Sequence, residues 1–172
     1  MSRCIAVTGA SAGIGRAVVR ELARQGDRIV LGARDRMELE RCAADARTRY
    51  GADAVVLPFD AATPEAALRW WQQADECYVG GLDGLIVCHG TMAEQAAAQR
   101  DPDTSRQMFE TNTLVISALL EAAAGALEER RQGVLCAVSS VAGDRGRASN
   151  YHYGASLLIC RIHLKHLIVV HK

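Results

Sequence analysis

Short apolar runs alternate with longer stretches in which apolar residues recur every three or four positions, and this alternation continues along the chain. Cys4–Thr8 is an unbroken apolar run, the pattern of a strand covered on both faces. Ile14, Val18 and Leu22 then recur at helical spacing from Ile14 to Gln25, and Gly26 stops the helix. Arg28–Gly32 predicts a second strand, Asp35–Tyr50 a charged surface helix ending before Gly51, and Ala54–Phe59 a third strand. Thr63 has the chemistry of a helix cap, with Pro64 at the first helical position of a segment reaching through Trp70 and Trp71 to Tyr78. Leu85–Cys88 is a fourth strand, followed by a loop through Asp101, a long helix over Pro102–Arg130 and a break at Gly133. Val134–Val138 is a fifth strand, Ser139–Asn150 a connection containing Gly and Arg, and Tyr151 opens another helix.

Strands separated by helices require right-handed crossovers, which predicts an α/β fold: a doubly wound parallel sheet of Rossmann type, incomplete at its C-terminal end. No linker or repeat divides the 172 residues, so one domain is expected over 1–156, with 157–172 as a divergent tail of the same domain. The 49% hydrophobic and 5% aromatic content suits an aliphatic sheet under alanine-rich helices. Twenty Lys and Arg balance twenty Asp and Glu, so no global field favours nucleic acid or an acidic membrane, and any anion site must be local. Apolar runs fall well short of a membrane span. The six cysteines are scattered without paired spacing, which reads as buried free thiols rather than a metal site or disulfides. With no leader pattern ahead of the first strand, a cytoplasmic location is expected.

The first strand runs into Thr8-Gly9-Ala10-Ser11-Ala12-Gly13-Ile14-Gly15, which opens the first helix. Glycines permit a sharp turn and let backbone amides of Ser11, Ala12 and Ile14 approach a diphosphate; the helix start adds free N–H donors and partial positive charge. Gly15 fits close packing of helix on strand. The spacing is G-x-x-x-G-x-G rather than G-x-G-x-x-G, and no Gly-Lys-Ser/Thr follows, which disfavours a P-loop. An ordinary glycine-rich turn is the competing reading.

Further motifs appear in order: Asp60 after the third strand, Cys88-His89-Gly90 after the fourth, Asn112 in the long helix, Ser139-Ser140, and Tyr153-Gly-Ala-Ser. Together with the turn, they resemble the short-chain dehydrogenase/reductase family over residues 1–156. The resemblance implies an oxidoreductase that moves a hydride between a nicotinamide cofactor and a small carbonyl or alcohol substrate. It places Thr8, Gly9, Gly13 and Gly15 at the cofactor, Asp60 at the adenine with Ala61 offering backbone contacts, and His89 where the family more often has Asn, its backbone role passing through Gly90. Asp60 reads equally well as a helix-capping residue near Thr63. In dinucleotide folds, an acidic residue past the second strand grips the ribose 2′-hydroxyl, whereas Arg accepts a 2′-phosphate. Arg34 stands at that place and favours NADP(H); Asp35 beside it keeps NAD(H) open, and Arg16 is a second basic candidate.

By the same resemblance Tyr153 is the general acid/base, Ser140 orients the carbonyl, and Asn112 holds a proton-relaying water. Ser139 and Tyr151 compete with Ser140 and Tyr153, and Asn112 could instead be a polar helix residue bonded to a neighbouring carbonyl. The family pattern Tyr-x-x-x-Lys fails here, because Leu157 stands four residues after Tyr153. A cation about 5 Å from a phenol, at an effective dielectric near 20, contributes roughly 3 kcal/mol to its ionisation, and here that help is missing. Lys165 lies about 18 Å further along a helix and cannot substitute. The activity of the chain is therefore in question, with a cofactor-binding protein without turnover as the alternative. Loss of resemblance after Ser156, close to the terminus, points to a truncated or frameshifted reading frame. His163, His166 and His171 lack carboxylate or cysteine partners, so no metal site is expected. The segments Val87–Thr91 and Val141–Tyr153 resemble a bacterial subgroup that includes decaprenylphosphoryl 2-keto-pentose reductases. Arg145 and Arg147 are then candidates to meet an anionic substrate, and a homo-oligomer through helices near Pro102–Arg130 is expected from the resemblance.

Overall fold

The computed structural model describes residues 2–158 and residue 162. Five parallel strands, β1 (Cys4–Thr8), β2 (Arg28–Gly32), β3 (Ala54–Val56), β4 (Gly84–Val87) and β5 (Val134–Ala137), form one sheet in the order β3-β2-β1-β4-β5. β1 is central and wholly buried. Its side chains alternate between two cores: Cys4 and Ala6 join Trp70, Leu85, Ile116 and Leu119 on one face, while Ile5 and Val7 join Val19, Leu31, Leu39 and Ala43 on the other. Helices α1 (Gly13–Arg24) and α2 (Arg36–Tyr50) cover the second face; α3 (Pro64–Asp75) and α6 (Ile116–Arg130) cover the first. The doubly wound architecture read from the alternation is thus the one adopted.

The strand order reverses at β1, which leaves a crevice between the carboxyl ends of β1 and β4, the place where open α/β sheets bind ligands. Cys88 N donates to Thr8 O there at 3.0 Å. Trp70 donates its indole N–H to Leu57 O and packs its ring, tilted by 33°, against Phe59 at 5.1 Å, which ties α3 to the end of β3.

Helix starts follow their local chemistry. Asp35 caps α2 by accepting from Glu38 N, and Gly51 ends that helix in the left-handed region (φ 65°). Thr63 caps α3 by accepting from Ala66 N. Asp60 is therefore not the capping residue of that helix. Asp101 accepts from Asp103 N and Thr104 N to cap α5 (Pro102–Phe109).

Four expectations change. β3 ends at Val56, although Leu57 N and Phe59 N still bond to Leu31 O and Ala33 O, and Pro58 between them turns its missing N–H to the sheet's free edge. The segment read as loop before Asp101 contains a short helix, α4 (Gln95–Arg100). The long helix is interrupted by a π-helical turn, Glu110–Val115, between α5 and α6. Cys136 is exposed rather than buried, because β5 lies at the sheet's edge with alternate residues uncovered. A final helix, α7, covers 151–158. Cys160, Lys165, His163, His166 and His171 lie outside the described residues.

Candidate active site

The turn after β1 is built by backbone contact. Gly9 adopts φ 72°, and a Cβ there would lie 2.6 Å from His89 N and 2.7 Å from Cys88 C. A Cβ on Gly15 would lie 2.1 Å from Gly9 O, so the helix sits directly on the turn. Only glycine fits either place. The turn's outer face is open: Ala12, Gly13 and Ile14 are exposed, Ile14 to 58%.

α1 differs from α2, α3 and α5 at its start. Its N-cap, Ala12, offers no side-chain hydrogen bond, and its first turn holds no acidic residue. The first amides of this helix therefore keep their donors and partial positive charge for a ligand. Beside this start, Arg34 follows β2, exposed and without an ion-pair partner among the described residues. Asp60 is also exposed, after β3, and Ala61 O accepts from Thr111 Oγ1 at 3.2 Å. These are the features an anionic dinucleotide needs: unsatisfied donors, no acidic residue in the first turn of α1, and an unpaired guanidinium at the next strand end.

His89 links the turn to the segment that follows β3. Its Nδ1 lies 2.7 Å from Thr8 Oγ1, and its ring meets Phe59 edge-on at 5.6 Å. Burial lowers its pKa to about 4, so the imidazole is neutral near pH 7. Its Nε2 is buried without a hydrogen-bond partner among the described residues. No group of three metal-ligating side chains occurs among the described residues.

The catalytic candidates gather at the ends of β4 and β5. Ser140 caps a short 3-10 turn, Val141–Gly143, accepting from Ala142 N. That turn packs on α7: a Cβ on Gly154 would lie 2.4 Å from Ala142 O, and one on Gly143 3.5 Å from Leu157 Cβ. Ser140 is thereby held beside the turn of α7 that carries Tyr153. The competing tyrosine is occupied, since Tyr151 Oη accepts from Gln99 Nε2 at 2.9 Å and its ring stacks on His152 at 4.5 Å. Ser139 is exposed.

Asn112 is fully buried in the π-helical turn. Its Oδ1 accepts from Thr91 N (2.8 Å), and its Nδ2 donates to Thr91 O (2.7 Å) and Ser156 Oγ (2.9 Å). Thr113 Oγ1 donates to Ser156 O at 2.7 Å. Both amide protons are committed, so the side chain braces the strand-β4 loop against α7. Gly90 lies close by: a Cβ there would sit 3.4 Å from Asn112 Oδ1. Leu157, in the place of the family lysine, is 3% exposed and packed on Gly143.

Two residues escaped the reading of the sequence. Gln95 Nε2 bonds to His152 Nδ1 at 2.6 Å while its Oε1 accepts from His152 N at 3.3 Å, and Gln99, one turn on, holds Tyr151. The i, i+4 pair of glutamines on α4 grips the start of α7. Their spacing was visible, but their partners lie 52 and 57 residues away.

This arrangement is that of a doubly wound α/β domain with a glycine turn where the strand order reverses. The profile of the short chain dehydrogenase family matches residues 3–158, and the chain belongs to that family. An uncharacterized oxidoreductase of Myxococcus xanthus is 34% identical over 155 residues, covering 90% of this chain and 60% of its own. L-rhamnose 1-dehydrogenase (NAD(P)(+)) of Azotobacter vinelandii is 31% identical over 157 residues, covering 89% and 61%. The chain thus spans about three fifths of the length of these relatives. Among solved structures, an alcohol dehydrogenase from Thermococcus sibiricus complexed with 5-hydroxy-NADP superposes with TM-score 0.90 at 23% identity, covering 99% of this chain and 72% of that one. A short-chain dehydrogenase from Sphingobium yanoikuyae in complex with NADPH gives TM-score 0.89 at 24% identity, covering 97% and 64%. No helix among the described residues is long and apolar enough to cross a membrane.

Proposed function

We propose that this domain binds NADP(H) and serves an oxidoreductase that interconverts a carbonyl and an alcohol. The observation that carries this reading is the uncapped start of α1, held by Gly9 and Gly15 at the reversal of strand order, with the unpaired Arg34 beside it. Amides of Ser11, Ala12, Gly13 and Ile14 would hold the diphosphate, the guanidinium of Arg34 the 2′-phosphate, and Asp60 with the Ala61 N–H the adenine edge. A bound nicotinamide supplies the hydride.

The chain's own groups do the rest. Ser140, at the carboxyl edge of β5, donates to the carbonyl oxygen, and Tyr153 gives that oxygen its proton as negative charge develops. Because both Asn112 amide protons are engaged, a relay water would hang on main-chain carbonyls of the π-helical turn rather than on that side chain. Arg145 and Arg147 are exposed between Ser140 and Tyr153, where a substrate carrying an anionic group would meet them. Leu157 supplies no cation to Tyr153, so the proton step is expected to be slow near neutral pH.

Calorimetric titration of purified protein with NADPH and NADH tests the cofactor reading. NADPH should bind about tenfold tighter or better, and Arg34→Ala should abolish that preference by removing a charge-assisted pair. Equal affinity of the unaltered protein for both would overturn the choice of NADP(H). Folded protein indifferent to both at millimolar concentration would overturn dinucleotide binding altogether.

A further inference from the structure

Arg16 lies in the first turn of α1, where the helix dipole disfavours a cation, yet its guanidinium is anchored in two directions. Nη2 donates to Ser11 O and to Glu38 Oε2, each at 2.6 Å, and Nε is buried beneath them without a partner among the described residues. The two acceptors belong to different parts of the adenosine side of the crevice. Ser11 is in the turn, and Glu38 is in the first turn of α2, where its N–H is held by the cap Asp35, the neighbour of Arg34. Glu38 is itself held by Arg41, and its two arginines keep its carboxyl below the usual carboxylate range, so it stays charged.

The bond to Ser11 O has a directional consequence. In a trans peptide the C=O and the following N–H point opposite ways, and the chain has no cis peptide among the described residues. Fixing Ser11 O toward Arg16 therefore turns the Ala12 N–H away from it, toward the exposed side of the turn. The bond to Glu38 fixes where α2 begins, and with it the carrier of Arg34. A planar guanidinium suits this double contact, since it presents donors in a rigid fork.

We propose that Arg16 is a positioning residue for the cofactor, orienting the Ser11–Ala12 peptide for a diphosphate and, through Glu38, setting Arg34 for a 2′-phosphate. Both halves rest on the dinucleotide reading above, and the second also on its choice of NADP(H).

Two fragments separate the halves: ADP carries the diphosphate without the 2′-phosphate, and 2′,5′-ADP carries the 2′-phosphate without the diphosphate. Calorimetry on the full chain should find that Arg16→Ala weakens both by about tenfold, with Arg16→Lys recovering only part of the loss. Glu38→Ala should weaken 2′,5′-ADP while leaving ADP within twofold. On 2′,5′-ADP the Arg16→Ala and Arg34→Ala losses should be non-additive, a ligand-specific coupling that general destabilisation does not produce. ADP binding to Arg16→Ala within twofold of the unaltered protein, or additive losses with Arg34→Ala, would overturn the proposal. Should Arg16→Ala not fold, the Glu38→Ala comparison decides, and equal weakening of both fragments refutes it. If Arg34→Ala leaves 2′,5′-ADP unaffected, the NADP(H) reading and the Arg34 half fail together, while the ADP result still judges the turn.

Discussion

The β1–β2 half and the β4–β5 half of this domain are covered to different degrees. Around β1, strands are buried on both faces, two glycines allow backbone-to-backbone contact, and Arg16 and His89 are anchored on the turn. Around β5, alternate strand residues are exposed, Val134 to 43% and Val141 just beyond it to 67%. On the function proposed above, the β1–β2 half would hold a cofactor mainly through backbone amides and shape. On the same proposal the β4–β5 half would depend on a few side chains, and there Leu157 stands in place of the family lysine. Binding and turnover can therefore be separated in this chain by experiment.

The sharpest break in the comparison is Gly15→Ala. Its methyl would meet Gly9 O at 2.1 Å, and relief requires the turn to move. A stability loss of about 3 kcal/mol and no saturable NADPH binding are expected, measured by urea unfolding and calorimetry. Near-normal affinity would show that the turn is slack.

Next comes the catalytic pair. Tyr153→Phe should lower kcat about a thousandfold and leave the NADPH dissociation constant within twofold, because only the proton donor is lost. Leu157→Lys is expected to raise kcat about tenfold and to carry the pH–rate profile toward neutrality. It should also lower Tm, because Leu157 is buried and an ammonium there loses its water. An unaltered protein as fast as the lysine variant would show that Tyr153 needs no such neighbour.

The smallest effect belongs to His89. An unfolded histidine takes up its proton near pH 6.5, whereas in the fold burial delays this to about pH 4. Between those values the unfolded chain holds more protons, so stability falls as pH drops through the window. Full protonation corresponds to about 3 kcal/mol, of which about 2 kcal/mol is lost between pH 6.5 and pH 5. Urea titrations should show this slope, and His89→Asn should remove it. An unchanged slope in the variant would place the proton elsewhere.

Much of this was legible in the sequence because it is local. β1 and β2 have the boundaries that their apolar runs mark, and Thr63-Pro64 opens α3 through side-chain chemistry within three residues. The glycine turn could be recognised because close backbone approach excludes every other residue. What escaped is long-range or geometric. Nothing in Gln95–Arg100 marks a helix by apolar periodicity, since only Ala98 is buried; its anchors are Tyr151 and His152. Asn112 was placed at the site, but the commitment of its amide to Thr91 and Ser156 depends on tertiary contacts. The π-helical turn leaves no compositional trace, because Glu-Thr-Asn-Thr-Leu-Val would fit an ordinary helix equally well.

That turn makes the rod from Pro102 to Arg130 two rulers joined with an offset. One surplus residue in a helical turn rotates everything beyond it by about 100°. Met108 on one side, and Ile116, Leu119 and Leu120 on the other, reach their apolar surroundings only with that phase error in place. Excising one residue, such as Thr111, would straighten the count while swinging the two rulers apart, and would uncouple Thr91 from Ser156 in the same stroke.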